Sequence, residues 1–149
     1  VHPVTHKAKN MFGSDYSASP FGGRSNAYQA VQVGTGVDGA SPHQLIAMLF
    51  DGLIECIAQA RGAIRNKKIE EKGRALSRAV RIVDEGLKAG LNLKEGGALA
   101  AQLNDLYAYM ALRLTQANLH SDEAALDECV QLIEPLRSAW AEIDIKTAA

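Results

Sequence analysis

An all-α fold, an antiparallel up-down-up-down four-helix bundle, is what this sequence predicts. Three observations carry the prediction. The 149-residue chain holds 24 Ala and 16 Leu against only 5% aromatic residues, and such a composition favours helices over sheets. Four long segments place apolar side chains at steps of three or four. The links between them are short, which makes consecutive helices antiparallel neighbours.

The first forty residues differ from the rest. They hold six of the thirteen Gly and two of the four Pro, and no helical period appears before about Ser25. Residues 1–24 are read as a flexible, disordered tail. The chain begins with Val and its first Met is Met11. Residues 1–10 are therefore treated as upstream or appended sequence and given no functional weight. A short amphipathic helix or turn over 25–33 leads into the bundle domain, 25–145.

Helix one is expected over 42–66. Ser41 can cap it, Pro42 suits its first position, and Gln44 can reach back to close a capping box. Its stripe is Ile46, Leu49, Leu53, Ile57, Ala60 and Ile64, widened by Leu45, Met48 and Cys56. Asp51-Gly52 interrupts this apolar run. The glycine costs about 1 kcal/mol relative to Ala in a helix, which points to close backbone approach, by a neighbouring helix or by another chain.

Helix two is expected over 68–91, with Leu76, Val80, Val83 and Leu87 in register and Arg74, Arg78, Arg81 and Lys88 outside. Helix three, over 97–119, carries Leu99, Leu103, Leu106, Met110, Leu114 and Ala117. Tyr107 and Tyr109 flank that stripe on opposite sides, so one core cannot bury both. Helix four, over 122–143, has Ser121 as a possible cap and the stripe Leu126, Val130, Ile133, Leu136 or Arg137, and Trp140. Pro135 inside it predicts a kink or a break. At 1.5 Å per residue each helix is ~33–38 Å long.

Charge and motifs exclude several function classes. Lys+Arg is 16 and Asp+Glu 17, a net charge of -1, without the basic excess of a phosphate-backbone binder. Residues 61–100 hold ten basic and five acidic side chains, and 101–149 three and eight. Complementary faces of antiparallel helices explain that asymmetry without a partner. No apolar run approaches the ~20 residues of a spanning helix, so no membrane insertion is expected. Glu-x-x-His, P-loop, GxGxxG, HExxH and GxSxG patterns are absent. The reading is no enzyme, no catalytic residue, no metal and no cofactor. Cys56 and Cys129 fall near stripe positions and are read as buried small hydrophobes. Gly96-Gly97 is read as a link. From the residues alone, the expected activity is binding another chain, such as an amphipathic helix.

Several stretches carry a resemblance. Tyr28-Gln29, the run from Ala40 through Ser41-Pro42-His43-Gln44 to Leu49-Phe50-Asp51-Gly52, Leu103 through Tyr107-Ala108-Tyr109-Met110, and Leu136-Arg137-Ser138-Ala139-Trp140 together resemble the flagellar secretion chaperone family, FliS. The likeness spans about residues 25–143. Departures are Phe50 where the family often has Tyr, a longer glycine-rich stretch at 33–40, and Pro135. The resemblance implies a non-enzymatic cytoplasmic export chaperone. It would bind the C-terminal helical segment of flagellin, prevent premature polymerisation and aid delivery to the type III export apparatus. Implied partners are the flagellin segment and an export-gate component. The alternative is a bundle adaptor for another export or regulatory protein. Expected partner contacts are Tyr28 and Gln29 in the leader, then Leu103, Tyr107, Met110 and Leu114, with Leu45 and Met48 as further choices.

Overall fold

The structure is a computed structural model that describes residues 39–148, with side chains described for 39–143. The tail over 1–24, the short leader element over 25–33, and with it Tyr28 and Gln29, lie outside the described residues. Among the described residues there are four α-helices and no strand: α1 (Pro42–Arg65), α2 (Ile69–Arg81), α3 (Gly97–His120) and α4 (Glu123–Ala148).

Helix α1 starts as its sequence dictates. Ser41 Oγ accepts from the Gln44 amide at 3.1 Å, and Gln44 Oε1 accepts from the Ser41 amide at 2.9 Å. Both groups of the capping box are satisfied, with Pro42 at the first position. The helix ends in a tight turn whose pivot, Lys67, adopts φ 58°.

Helix α2 departs from expectation. It does not continue as one α-helix to Leu91. At Ile82 the backbone widens into a π-helical segment, Ile82–Lys88, and the Ala89 amide donates to the Asp84 carbonyl, five residues back. Val83, Gly86 and Leu87 stay buried there. A Cβ added at Gly86 would stand 3.0 Å from both Leu49 methyls, whereas one at Gly52 would meet only Ile82 Cδ1, at 3.5 Å. The close approach expected at Gly52 is therefore made at Gly86.

A link of eight residues leads to α3. Asn92 organises it. Its Oδ1 accepts from the Glu95 amide at 3.0 Å and its carbonyl from the Gly96 amide at 2.7 Å. Helix α3 closes at Ser121, in the left-handed region at φ 51°. Ser121 does not cap α4, as had been expected. Asp122 does, accepting from the Ala124 and Ala125 amides at 3.0 and 3.3 Å.

Helix α4 continues through Pro135 as one helix, so of the kink or break expected there the break does not occur. Pro135 and Gln131, whose carbonyl loses its usual donor, are both exposed. Water can serve that carbonyl, so the missing bond leaves no buried orphan.

The elements close into an antiparallel bundle. At one end α1 meets the C-terminal part of α4 through His43 and Trp140. Towards the other, Arg61 and Arg65 pair with Asp127 and Glu123 of α4 at 2.5 and 3.0 Å. Arg137 reaches Asp51 at 2.6 Å. The Arg61 and Arg65 pairs realise the complementary-face reading for α1 and α4, whereas Arg137–Asp51 has the opposite polarity. Exposed pairs of this kind are worth little individually but fix the register. The core runs the length of the bundle, from Leu45 and Phe50 through Leu53, Leu76, Val83, Met110 and Leu114 to Leu126 and Ile133. Burying such side chains contributes about 1.5–3 kcal/mol each before entropy is counted. No described helix is long and apolar enough to cross a membrane.

Candidate partner-binding surface

Helix α3 differs from the others in having apolar side chains on two faces. Inward it buries Ala100, Leu103, Tyr107, Met110, Leu114 and Ala117. Outward, Ala101, Ala108, Leu112 and Leu119 recur at steps of seven, four and seven, and all are exposed. Leu112 keeps 54% and Leu119 75% of its surface. Four of the seven large apolar side chains left exposed among the described residues belong to α3: Leu99, Tyr109, Leu112 and Leu119. Its formally charged side chains are only Asp105 and Arg113. A helix apolar all round is normally buried on all sides. Here one side faces outward, the kind of exposed strip that marks an interaction surface.

The rim of this strip towards α4 is polar and ordered. Glu128 accepts from Tyr109 Oη at 2.6 Å and from Arg113 Nε at 2.6 Å, and Arg113 also donates to Gln116 at 2.7 Å. The Tyr109 hydroxyl, then the Arg113 guanidinium, hold the Glu128 carboxyl below its ordinary range. The same bond to Glu128 pushes the Tyr109 phenol up.

The two tyrosines separate as their spacing required. Tyr107 is fully buried and Tyr109 is 41% exposed. Burial raises the Tyr107 phenol well above its usual value, and its hydroxyl has no hydrogen-bond partner among the described residues. Cys56 and Cys129 are both buried free thiols. Burial pushes Cys56 up and Cys129 to about 11, so both are thiols near neutral pH.

The residues expected at the partner contact are not all on one surface. Leu45, Leu103, Tyr107, Met110 and Leu114 are buried in this chain's own core, while Met48 is half-buried against it. Leu99, expected in the stripe, is instead 54% exposed, and Leu106 is half-buried. In the sequence the inward period of α3 masks the outward strip. Its signal was present in the recurrence of Leu112 and Leu119 seven residues apart on the opposite side.

Comparison with known proteins assigns the family of the chain. The family described as flagellar protein FliS matches residues 24–147. The chain is 45% identical over 122 residues to the flagellar secretion chaperone FliS of Salmonella typhimurium, covering 82% of this chain and 90% of that protein. It is 42% identical over 113 residues to the flagellar secretion chaperone FliSB of Pseudomonas aeruginosa, covering 76% and 89%. To the FliS chaperone of Bacillus subtilis it is 33% identical over 117 residues, covering 78% and 85%. With the match running through all four helices and the strip of α3 among them, the chain belongs to the FliS family of flagellar secretion chaperones.

Proposed function

We propose that this protein is a cytoplasmic export chaperone that holds the C-terminal helical segment of flagellin, keeps it from polymerising and hands it to the export gate. The observation that carries the reading is the outward apolar strip of α3. An Ala- and Leu-rich client segment has no stable core alone. Laid against Ala108, Leu112 and Leu119, it would bury its apolar stripe while completing its own backbone hydrogen bonds. Ordering such a segment costs several kcal/mol, so a long contact is needed, and α3 offers 24 residues of length. The small side chains Ala101 and Ala108 allow close approach.

In this reading residues 25–145 form the chaperone unit and 1–24 a tail. Met48 is a candidate contact, and Tyr28 and Gln29 belong to a leader contact with client or gate. Leu45, Leu103, Tyr107, Met110 and Leu114 reach a client directly only where a helix seam opens; otherwise they hold α3 in place.

The test is titration of the protein with a flagellin C-terminal peptide of ~40–50 residues, following affinity and helicity. Binding with a gain of helix is expected. Leu112→Lys and Leu119→Lys together should weaken it at least about tenfold, the equivalent of 1.4 kcal/mol, with thermal stability unchanged. No binding by the folded protein would remove the reading in favour of an adaptor for another partner.

A further inference from the structure

At the end of the bundle where α1 turns into α2 and α3 into α4, a cavity of about 340 Å³ opens between the two turns. Lys72 forms part of its wall. That residue is only 8% exposed, yet its ammonium makes a single side-chain hydrogen bond, to Ser121 Oγ at 2.8 Å. No carboxylate pairs with Lys72 among the described residues. A buried charge is costly unless it is paired and its donors are used, and an ammonium has three donors. Ser121 accepts from Lys72, which leaves the serine's own hydroxyl hydrogen available.

Two further side chains have the same sign. Lys67 and Lys68 also line the cavity, and no acidic residue does. Lys68 pairs with Glu71 at 3.6 Å, and that carboxylate lies outside the lining. Helix α2 begins beside this cavity with no side-chain hydrogen bond to its first-turn amides, and Glu70 and Glu71 in that turn offset its positive end, so the helix start adds nothing to the site. Beside these donors the wall is apolar. Ile64 contributes to it, and so does Ile69, which keeps 74% of its surface exposed.

We propose that this cavity is an oxyanion-binding site, in which a carboxylate or phosphate group pairs with Lys72 and, where the anion carries an apolar stem, Ile64 and Ile69 seat it. The site lies at the bundle end, next to Leu119 where the outward strip of α3 finishes, and does not rest on the client reading. A buried lysine with spare donors and a serine hydroxyl supply directional bonds. Lys67 and Lys68 at the rim add attraction that salt will screen.

The experiment uses the full chain and follows amide and methyl NMR shifts of Ile64, Ile69 and Ser121. One arm titrates inorganic phosphate. The second titrates a short peptide ending in Leu with a free carboxylate, and the third its C-terminal amide, with chloride as the ionic-strength control. Saturable shifts from phosphate identify a free anion as the ligand. Shifts from the peptide acid but not the amide identify a chain terminus. In either case Lys72→Met, which keeps the stem and removes the charge, should weaken binding at least about tenfold. Ser121→Ala is a milder variant that leaves the charge in place and should weaken binding less. Absence of saturable shifts from all probes, or binding that Lys72→Met leaves unchanged while the variant stays folded, would overturn the proposal.

Discussion

His43 and Trp140 clasp the ends of α1 and α4 reciprocally. Their rings stack with centroids 4.5 Å apart and planes 6° from parallel. Trp140 Nε1 donates to the His43 carbonyl at 2.9 Å, and His43 Nε2 donates to the Trp140 carbonyl at 2.8 Å. The second bond fixes the tautomer, because a carbonyl can only accept. Two directional bonds plus a stacked pair tie residues 97 positions apart. Trp140→Phe keeps most of the ring and should cost about 1 kcal/mol through the lost bond. Trp140→Ala should cost about 3 kcal/mol. A His43→Ala, Trp140→Ala double-mutant cycle in urea should show a coupling of about 1 kcal/mol. Additive single-site losses would mean the clasp is mere proximity.

Two glycines should respond in opposite directions. At Gly86 an added methyl meets Leu49 at 3.0 Å inside the core, and overpacking should destabilise Gly86→Ala by about 1–2 kcal/mol. At Gly52 the same methyl finds ordinary contact with Ile82. Gly52→Ala should be neutral or stabilising by up to about 1 kcal/mol. Chemical denaturation of both variants separates the two sites.

Tyr107 buries a hydroxyl without a partner among the described residues. Replacing it with Phe removes a group whose desolvation is not repaid, so Tyr107→Phe should unfold at the same or higher denaturant concentration, by up to about 1 kcal/mol. A clear loss of stability would mean that the hydroxyl is satisfied in solution.

Glu128 links pH to the seam between α3 and α4. Its carboxyl is held below the ordinary range by Tyr109 and Arg113, so the unfolded chain takes up that proton first as pH falls. The stabilisation is therefore complete above the usual carboxylate pKa and is lost as pH drops through the lowered folded value. Glu128→Gln should remove this part of the acid sensitivity. Comparing thermal midpoints at neutral and acid pH for both proteins, with the difference shrinking at low pH, measures it.

Sequence reasoning reached the helix number, the capping box at Ser41 and Gln44, and the buried stripes because each rests on side-chain chemistry at fixed spacing. The π-helical turn at Ile82–Lys88 was not legible. Its i→i−5 bonding carries no residue signature, and Leu76, Val80, Val83 and Leu87 read equally well as a plain α-helix. Of the kink or break expected at Pro135, the break is absent for a related reason: whether a missing amide breaks a helix depends on which way that position faces, and here it is exposed. The candidate surface was half legible. Leu103, Tyr107 and Met110 mark α3 as the informative helix, but only the packed structure shows that they turn inward and Leu112 and Leu119 outward.

The two left-handed turns, at Lys67 and Ser121, sit together at one pole of the bundle, and the His43–Trp140 contact sits at the other. The 24 residues of α1 put roughly 36 Å between them. Gly39, the first described residue, lies on the His43 side. A fluorophore attached at Gly39 would therefore stand about a helix length from one attached at Lys67, so energy transfer between the two dyes reads directly whether α1 keeps its full extension.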